Sequence, residues 1–144
     1  MQTATPKSAS AELLDAYEWD SEADFVISAL SVRVGGAETQ RQPVRMPHRV
    51  CAALLLHSEA RGSRPHLLFT RDASPRGVGF VTREPLPLSH GGIVTLSDPT
   101  GRVLSVACTV LRFREAAPGW FEGALCFNRA QPAFRDPQVE PDRP

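Results

Sequence analysis

No apolar run in these 144 residues approaches the roughly 20 residues that a membrane-spanning helix requires. A soluble protein is expected. The stretch after Met1, QTATPKSASAE, lacks the basic start and apolar stretch of a secretory signal peptide, so a cytoplasmic location is expected as well. Cysteine is sparse: Cys51, Cys108 and Cys126 lie far apart inside apolar runs, without CxxC or Cys/His spacing, and read as buried reduced thiols. The four histidines (His48, His57, His66, His90) form no HExxH or His-x-His pair, and no metal site is expected. Lysine is confined to Lys7, so the basic side of the chain is almost entirely arginine.

The formal net charge is zero, which argues against gripping long nucleic acids by charge alone. Its distribution is uneven. From Met1 to Asp24, Glu12, Asp15, Glu18, Asp20, Glu22 and Asp24 face only Lys7, a balance of −5. From Arg33 to Arg76, eight arginines face Glu38, Glu59 and Asp72, a balance of +5. One face able to favour a small anion is one reading; a simple compositional preference for arginine is the other.

With 144 residues there is room for one core. Residues 1–43 read as an N-terminal extension. Its first nine residues look disordered, Leu13, Leu14 and Tyr17 have the spacing of one helix face, and Ser21 with Asp24 resembles a capping box ahead of FVISAL. That run is rich in β-branched residues, so a strand competes with the helix there. Gly35 to Gln42 reads as a linker. Residues 44–128 switch to short apolar runs broken by turn residues, the pattern of a small all-β barrel or sandwich. Strands are expected near Val50 to Ser58, Pro65 to Arg71, Gly77 to Arg83, Gly92 to Ser97, Arg102 to Arg114 and Trp120 to Asn128, in antiparallel pairs because the connections are short. In the fifth, Val103, Ser105, Ala107, Thr109, Leu111 and Phe113 share one face, and Leu104, Val106, Cys108 and Val110 the other. Both are largely apolar over the first half, so cover on both sides is expected, with the N-terminal helices as the cover. Residues 129–144 carry four prolines and read as an extended or disordered tail, with Phe134 packing back locally.

Two segments carry the candidate chemistry. In RMPHR, Arg45 and Arg49 stand four apart just ahead of a strand, and a guanidinium fork matches either two phosphate oxygens or guanine O6 and N7. In DASPRG, the carboxylate of Asp72 can accept from the N1 and N2 donors of guanine, the Ser74 hydroxyl can donate or accept, and Gly77 permits a sharp turn or a close approach. Arg41, Arg71 and Arg76 are further arginines near these motifs.

RMPHRV before a strand, DASPRG a strand pair later, and Gly123 and Phe127 in the last strand resemble the PilZ domain of bacterial cyclic di-GMP receptors over about residues 44–128. The resemblance implies a six-stranded antiparallel barrel with ligand across its surface, between an arginine-bearing N-terminal loop and a D/NxSxxG motif. It assigns Arg45 and Arg49 to phosphate and guanine contact, and Asp72, Ser74 and Gly77 to framing a guanine. Segment Gln40 to His48 would become ordered on binding. The long acidic N-terminal region and the proline-rich tail depart from the family pattern. The implied function is that of a small second-messenger sensor or adaptor, with cyclic di-GMP and a downstream protein as partners, no cofactor and no catalysis. The alternative is a PilZ-like docking module that does not bind the nucleotide. A single-strand nucleic-acid barrel would need a basic groove with stacking aromatics. Aromatics are only 7% of the chain, and Phe69, Phe80, Phe113 and Phe127 are placed for a core, so neither DNA nor RNA is an expected partner. Ser74 lacks the GxSxG setting of a nucleophile, which leaves an enzyme the least supported class.

Overall fold

A computed structural model describes residues 9–34, 45–60 and 62–135, with side chains described outside 31–34. The first residues of the extension, the expected linker with Arg41, and the last residues of the tail lie outside these. The elements are α1 (Ala9–Ala16), α2 (Ser21–Val34), β1 (Met46–Pro47), β2 (Cys51–Leu56), β3 (His66–Ser74), β4 (Gly77–Thr82), β5 (Gly91–Ser97), β6 (Val103–Ala117), β7 (Trp120–Phe127) and a 3-10 turn (Pro132–Phe134). Strands β2 to β7 form a closed antiparallel barrel, in the order β3-β2-β5-β6-β7-β4 with β3 pairing back to β4. This is the six-stranded antiparallel barrel that the family resemblance implies; the turn pattern by itself left barrel and sandwich open. Closure leaves no exposed edge within the barrel. Its core takes the inward residues of every strand, among them Leu54, Leu68, Phe80, Val94, Val106 and Leu125.

Short β1 was not foreseen. Met46 and Pro47 pair with Ala73 and Asp72 of β3, on the same edge that β2 uses at Phe69 to His66. From Arg45 onward the arginine-bearing segment is therefore laid along a strand and is not a loose loop. Thr70 holds the corner between β1 and β2, donating to the His48 carbonyl and accepting from Val50 N–H. His48 is buried, bonds the Ser97 carbonyl through Nε2 and meets Phe134 edge-on.

The run FVISAL is helical. Ala23, Val26, Ile27 and Leu30 fall at helical spacing, and this stripe packs on Phe69, Val81 and Trp120 outside the barrel. Phe25, off the stripe, is exposed. The helix cap falls one residue earlier than the expected Ser21: Asp20 accepts from Glu22 N–H at 2.9 Å, and Asp24 is left for another partner.

The expected two-sided cover of β6 is not found. Leu104, Val106, Cys108 and Val110 point inward, while Val103, Ser105 and Ala107 are exposed. The helix lies on the β3–β4–β7 wall, where Phe69, Val81 and Trp120 offer far more apolar area than the small outward residues of β6. The tail holds to the barrel further than expected. Gln131 N–H bonds the Pro75 carbonyl at 2.7 Å, and Phe134 is fully buried against Phe127. Burial pushes the Cys108 thiol up to about 12, in keeping with an inert core thiol, while Cys51 and Cys126 are half-buried and free.

At the start of β3, His66 is clamped by Glu84 on Nδ1 at 2.5 Å and by Glu59 on Nε2 at 2.9 Å. Desolvation opposes its protonation, but the hydrogen bonds and charges of the two glutamates outweigh it and raise its pKa above the ordinary histidine value. A raised folded-state pKa gives stability that is fully present below about pH 6.5 and lost as pH climbs through the folded-state value. The substitution His66→Gln should therefore lower the melting temperature more at about pH 5.5 than at about pH 9, as read by thermal circular dichroism. An equal loss at both would mean that the charged form makes no contribution.

Candidate functional site

Antiparallel pairing dictates where the two motifs meet. Because Pro47 lies opposite Asp72, the segment Arg45 to Arg49 runs along the outside of β3 beside the motif carboxylate. Arg45 Nη1 donates to Asp72 Oδ1 at 2.6 Å. Asp72 also accepts from Arg71 Nε at 3.1 Å and from Gly79 N–H at 3.2 Å. One carboxylate thus holds two guanidiniums, and Arg45 Nε is buried with no hydrogen-bond partner.

Asp72 faces outward only because β3 carries a bulge. Leu68 and Thr70 point inward, and strict alternation would send Asp72 in after them. The register shifts between Thr70 and Asp72, so Ala73 takes the next inward position and both Arg71 and Asp72 reach the surface. Residues 72–74, expected in a turn, belong to β3; the connection to β4 is only Pro75 and Arg76.

Ser74 and Gly77 close this hairpin. Ser74 is buried and its Oγ accepts from Arg76 N–H at 3.2 Å. Gly77 pairs with Cys126 of β7, and a Cβ there would overlap the Leu125 backbone carbonyl. The tip is tied from outside by Phe127 N–H to the Arg76 carbonyl and Gln131 N–H to the Pro75 carbonyl, each at 2.7 Å. Gly79 matters differently: a Cβ would press on Asp72 Oδ1 and Arg71 Nη2, so glycine is what lets those side chains lie flat over β4.

The other motif arginine is drawn away from Asp72. Arg49 Nη1 bonds Asp24 Oδ1 of α2 at 2.7 Å, with both side chains nearly half exposed. The acidic N-terminal region therefore supplies the counter-ion of one motif arginine, and Asp72 that of the other. The neighbouring α2 acids serve Arg83: it pairs with Asp20 and Glu22, lies over the Trp120 ring at 4.2 Å, and Glu22 also accepts from Trp120 Nε1.

Glu122, Arg112 and Arg114, all on this face, escaped the sequence reading. Glu122 of β7 is almost fully buried, and Arg71, Arg112 and Arg114 converge on it. Their orientation again comes from a bulge, between Val110 and Arg112 in β6. Without it Arg112 and Arg114 would follow Val110 into the core; with it Phe113 turns in, and Leu111 and Arg112 both face out. The foreseen grouping of Leu111 with Phe113 fails for this reason. A signal was available: a charged residue falling on the inward phase of an otherwise apolar strand implies a bulge.

A cavity of about 420 Å³ lies elsewhere, between α1 and the start of β3 and end of β4, lined by Leu13, Tyr17, Arg64, Leu67, Phe69 and Arg83. It contains none of the motif residues. Comparison with known proteins adds no relative to this geometry: no family model matches the chain, and no curated protein matches it.

The crowding at Gly77 sets a structural expectation for the motif. Gly77→Ala should force β4 and β7 apart and cost about 1–3 kcal/mol in urea unfolding. A variant as stable as the parent would show that the strands relax without cost.

Proposed function

We propose that this chain is a receptor for cyclic di-GMP on a PilZ-like barrel, a binder and not a catalyst, working as a small cytoplasmic sensor or adaptor of bacterial second-messenger signalling. The observation that carries the reading is the direct contact of its two motifs: Arg45 and Asp72, 27 residues apart in sequence, are hydrogen-bonded on the barrel surface. Around them lie the donors and acceptors that a guanine nucleotide needs. Arg45 and Arg49 offer guanidinium forks to phosphate or to guanine O6 and N7, and Asp72 offers a carboxylate to guanine N1–H and N2–H. Gly79 leaves the room above β4 in which the Asp72 and Arg71 side chains lie, while Ser74 and Gly77 fix the hairpin that presents Asp72.

Binding on this reading is an exchange of partners. In the free protein Arg45 is held by Asp72 and Arg49 by Asp24. An incoming phosphate takes over the guanidiniums, and guanine takes over the carboxylate they release. Because Arg49 is held by α2, ligand binding alters the contact between the N-terminal helix and the barrel, which is the route to a downstream partner. A docking function without nucleotide has one observation in its favour: Ile93, Val103 and Leu111 are exposed on the outer faces of β5 and β6. A partner that binds there regardless of the dinucleotide would favour that alternative.

Titration calorimetry with cyclic di-GMP tests the main reading. Binding at about micromolar concentration is expected, with a loss of about tenfold or more in Arg45→Ala and in Arg49→Ala. No heat, or an unchanged affinity in both variants, removes it. Asp24→Asn should act in the opposite direction: releasing Arg49 from an exposed ion pair tightens binding by a factor of up to about five. Weaker binding in that variant would mean that Asp24 presents Arg49 to the ligand and does not compete for it.

A further inference from the structure

A second group of guanidiniums reaches across the barrel surface from β3 to β6. Arg71, Arg112 and Arg114 lie 3.6, 3.7 and 2.6 Å from the carboxylate of Glu122. The Glu122 side chain is only 3% exposed, whereas those of Arg112 and Arg114 are 53% and 58% exposed. One carboxylate offsets one of three guanidiniums, which leaves the group with a formal charge of two positive units. The Arg45–Asp72 pair is neutral and does not reduce it. An uncompensated pair of charges held side by side on a barrel wall repels itself and attracts a small anion.

Strand register lays this group beside the motif site. Asp72 is opposite Gly79, Gly79 opposite Ala124, and Ala124 opposite Arg112. Cross-strand partners share a face, so these four positions form a row over the outer wall. Three strand spacings of about 4.8 Å separate the ends of the row by about 14 Å along the surface. Its two middle positions rise no higher than a methyl group. Both are buried, with the Asp72 and Arg71 side chains lying over Gly79, so the row is a low wall with Arg45 and Asp72 on one bank, Arg112 and Arg114 on the other, and the Arg71 guanidinium laid between them.

We infer that Arg112 and Arg114 are ligand-binding residues that take the second phosphodiester of a cyclic dinucleotide whose other side is held by Arg45 and Asp72. This rests on the dinucleotide reading above. Arg114 bonds Glu122 through Nε, which leaves both of its Nη groups as donors. Arg112 stands at 3.7 Å from Glu122, beyond hydrogen-bonding distance, and among the described residues its side chain makes no hydrogen bond. The two surplus charges equal in size the two phosphodiester charges of the ligand. Glu122 is a positioning residue: it touches no ligand but fixes the direction of the guanidiniums, as a buried carboxylate bonded to an exposed arginine must.

The test uses the full chain with Arg112→Gln and Arg114→Gln combined, titrated with cyclic di-GMP at low and high salt. About tenfold weaker binding and a flatter salt dependence are expected. An affinity within twofold of the parent, with the same salt dependence, overturns the inference while leaving the motif reading intact. A parent protein that takes no cyclic di-GMP defeats the motif reading, and the second bank is then judged on inorganic pyrophosphate added to the unmodified protein. Movement of the Arg112 and Arg114 side-chain Nε–H resonances on that addition sustains an anion site there; resonances that stay in place dismiss it. In Glu122→Gln the same two resonances should collapse toward the averaged position of free arginine side chains, a change that a purely space-filling Glu122 would not produce.

Discussion

A carboxylate or a guanidinium cannot sit unpaired inside a barrel of this size, and two one-residue bulges are how the chain avoids it. In β3 the shift between Thr70 and Asp72 keeps the inward sequence Leu68, Thr70, Ala73 apolar or hydrogen-bonded. In β6 the shift between Val110 and Arg112 does the same by turning Phe113 inward. The β3 bulge brings Asp72 to the outer wall beside Arg71 and the β6 bulge brings Arg112 and Arg114 there, on two strands that lie on opposite sides of β4 and β7. The charged face between them is a consequence of register. Remove either bulge and the site loses one bank while the core gains a buried ion.

Once outside, the charges are organised by two acids. Asp72 and Glu122 each take more than one guanidinium, and Arg71 is shared between them. The buried position of Glu122 is costly to desolvate and is offset by Arg114 at 2.6 Å and by two further cations. An apolar residue there would serve packing better, which is the physical reason to regard Glu122 as a holder of arginines and not as a core residue. Exposed pairs such as Arg49 with Asp24 add little to stability.

The helical extension is part of the same arrangement. Ala23, Ile27 and Leu30 fix α2 against Phe69, Val81 and Trp120, and that apolar contact sets where Asp20, Glu22 and Asp24 can reach. Arg83 and Trp120 take the first two acids and Arg49 the third. Of the six acids in the opening segment, Asp20, Glu22 and Asp24 thus serve as counter-ions for arginines of the barrel.

Much of this was legible before folding. The six barrel strands followed from short apolar runs between Gly- and Pro-bearing turns, because turn chemistry is local, and the two motifs stood in order along them. Facing was legible only where alternation ran unbroken, as in Leu104 to Val110. It failed for Phe113, and Asp72 was placed in a turn when it lies in a strand. The partners of Arg49 and the role of Glu122 were out of reach, since Asp24 and Glu122 are brought to their arginines by helix docking and by the pairing of β4 with β7. Local composition determines where strands start and stop and which residues can bind an anion. Closure of the barrel decides which of them share a face, because register is a property of the whole ladder and one inserted residue reverses it.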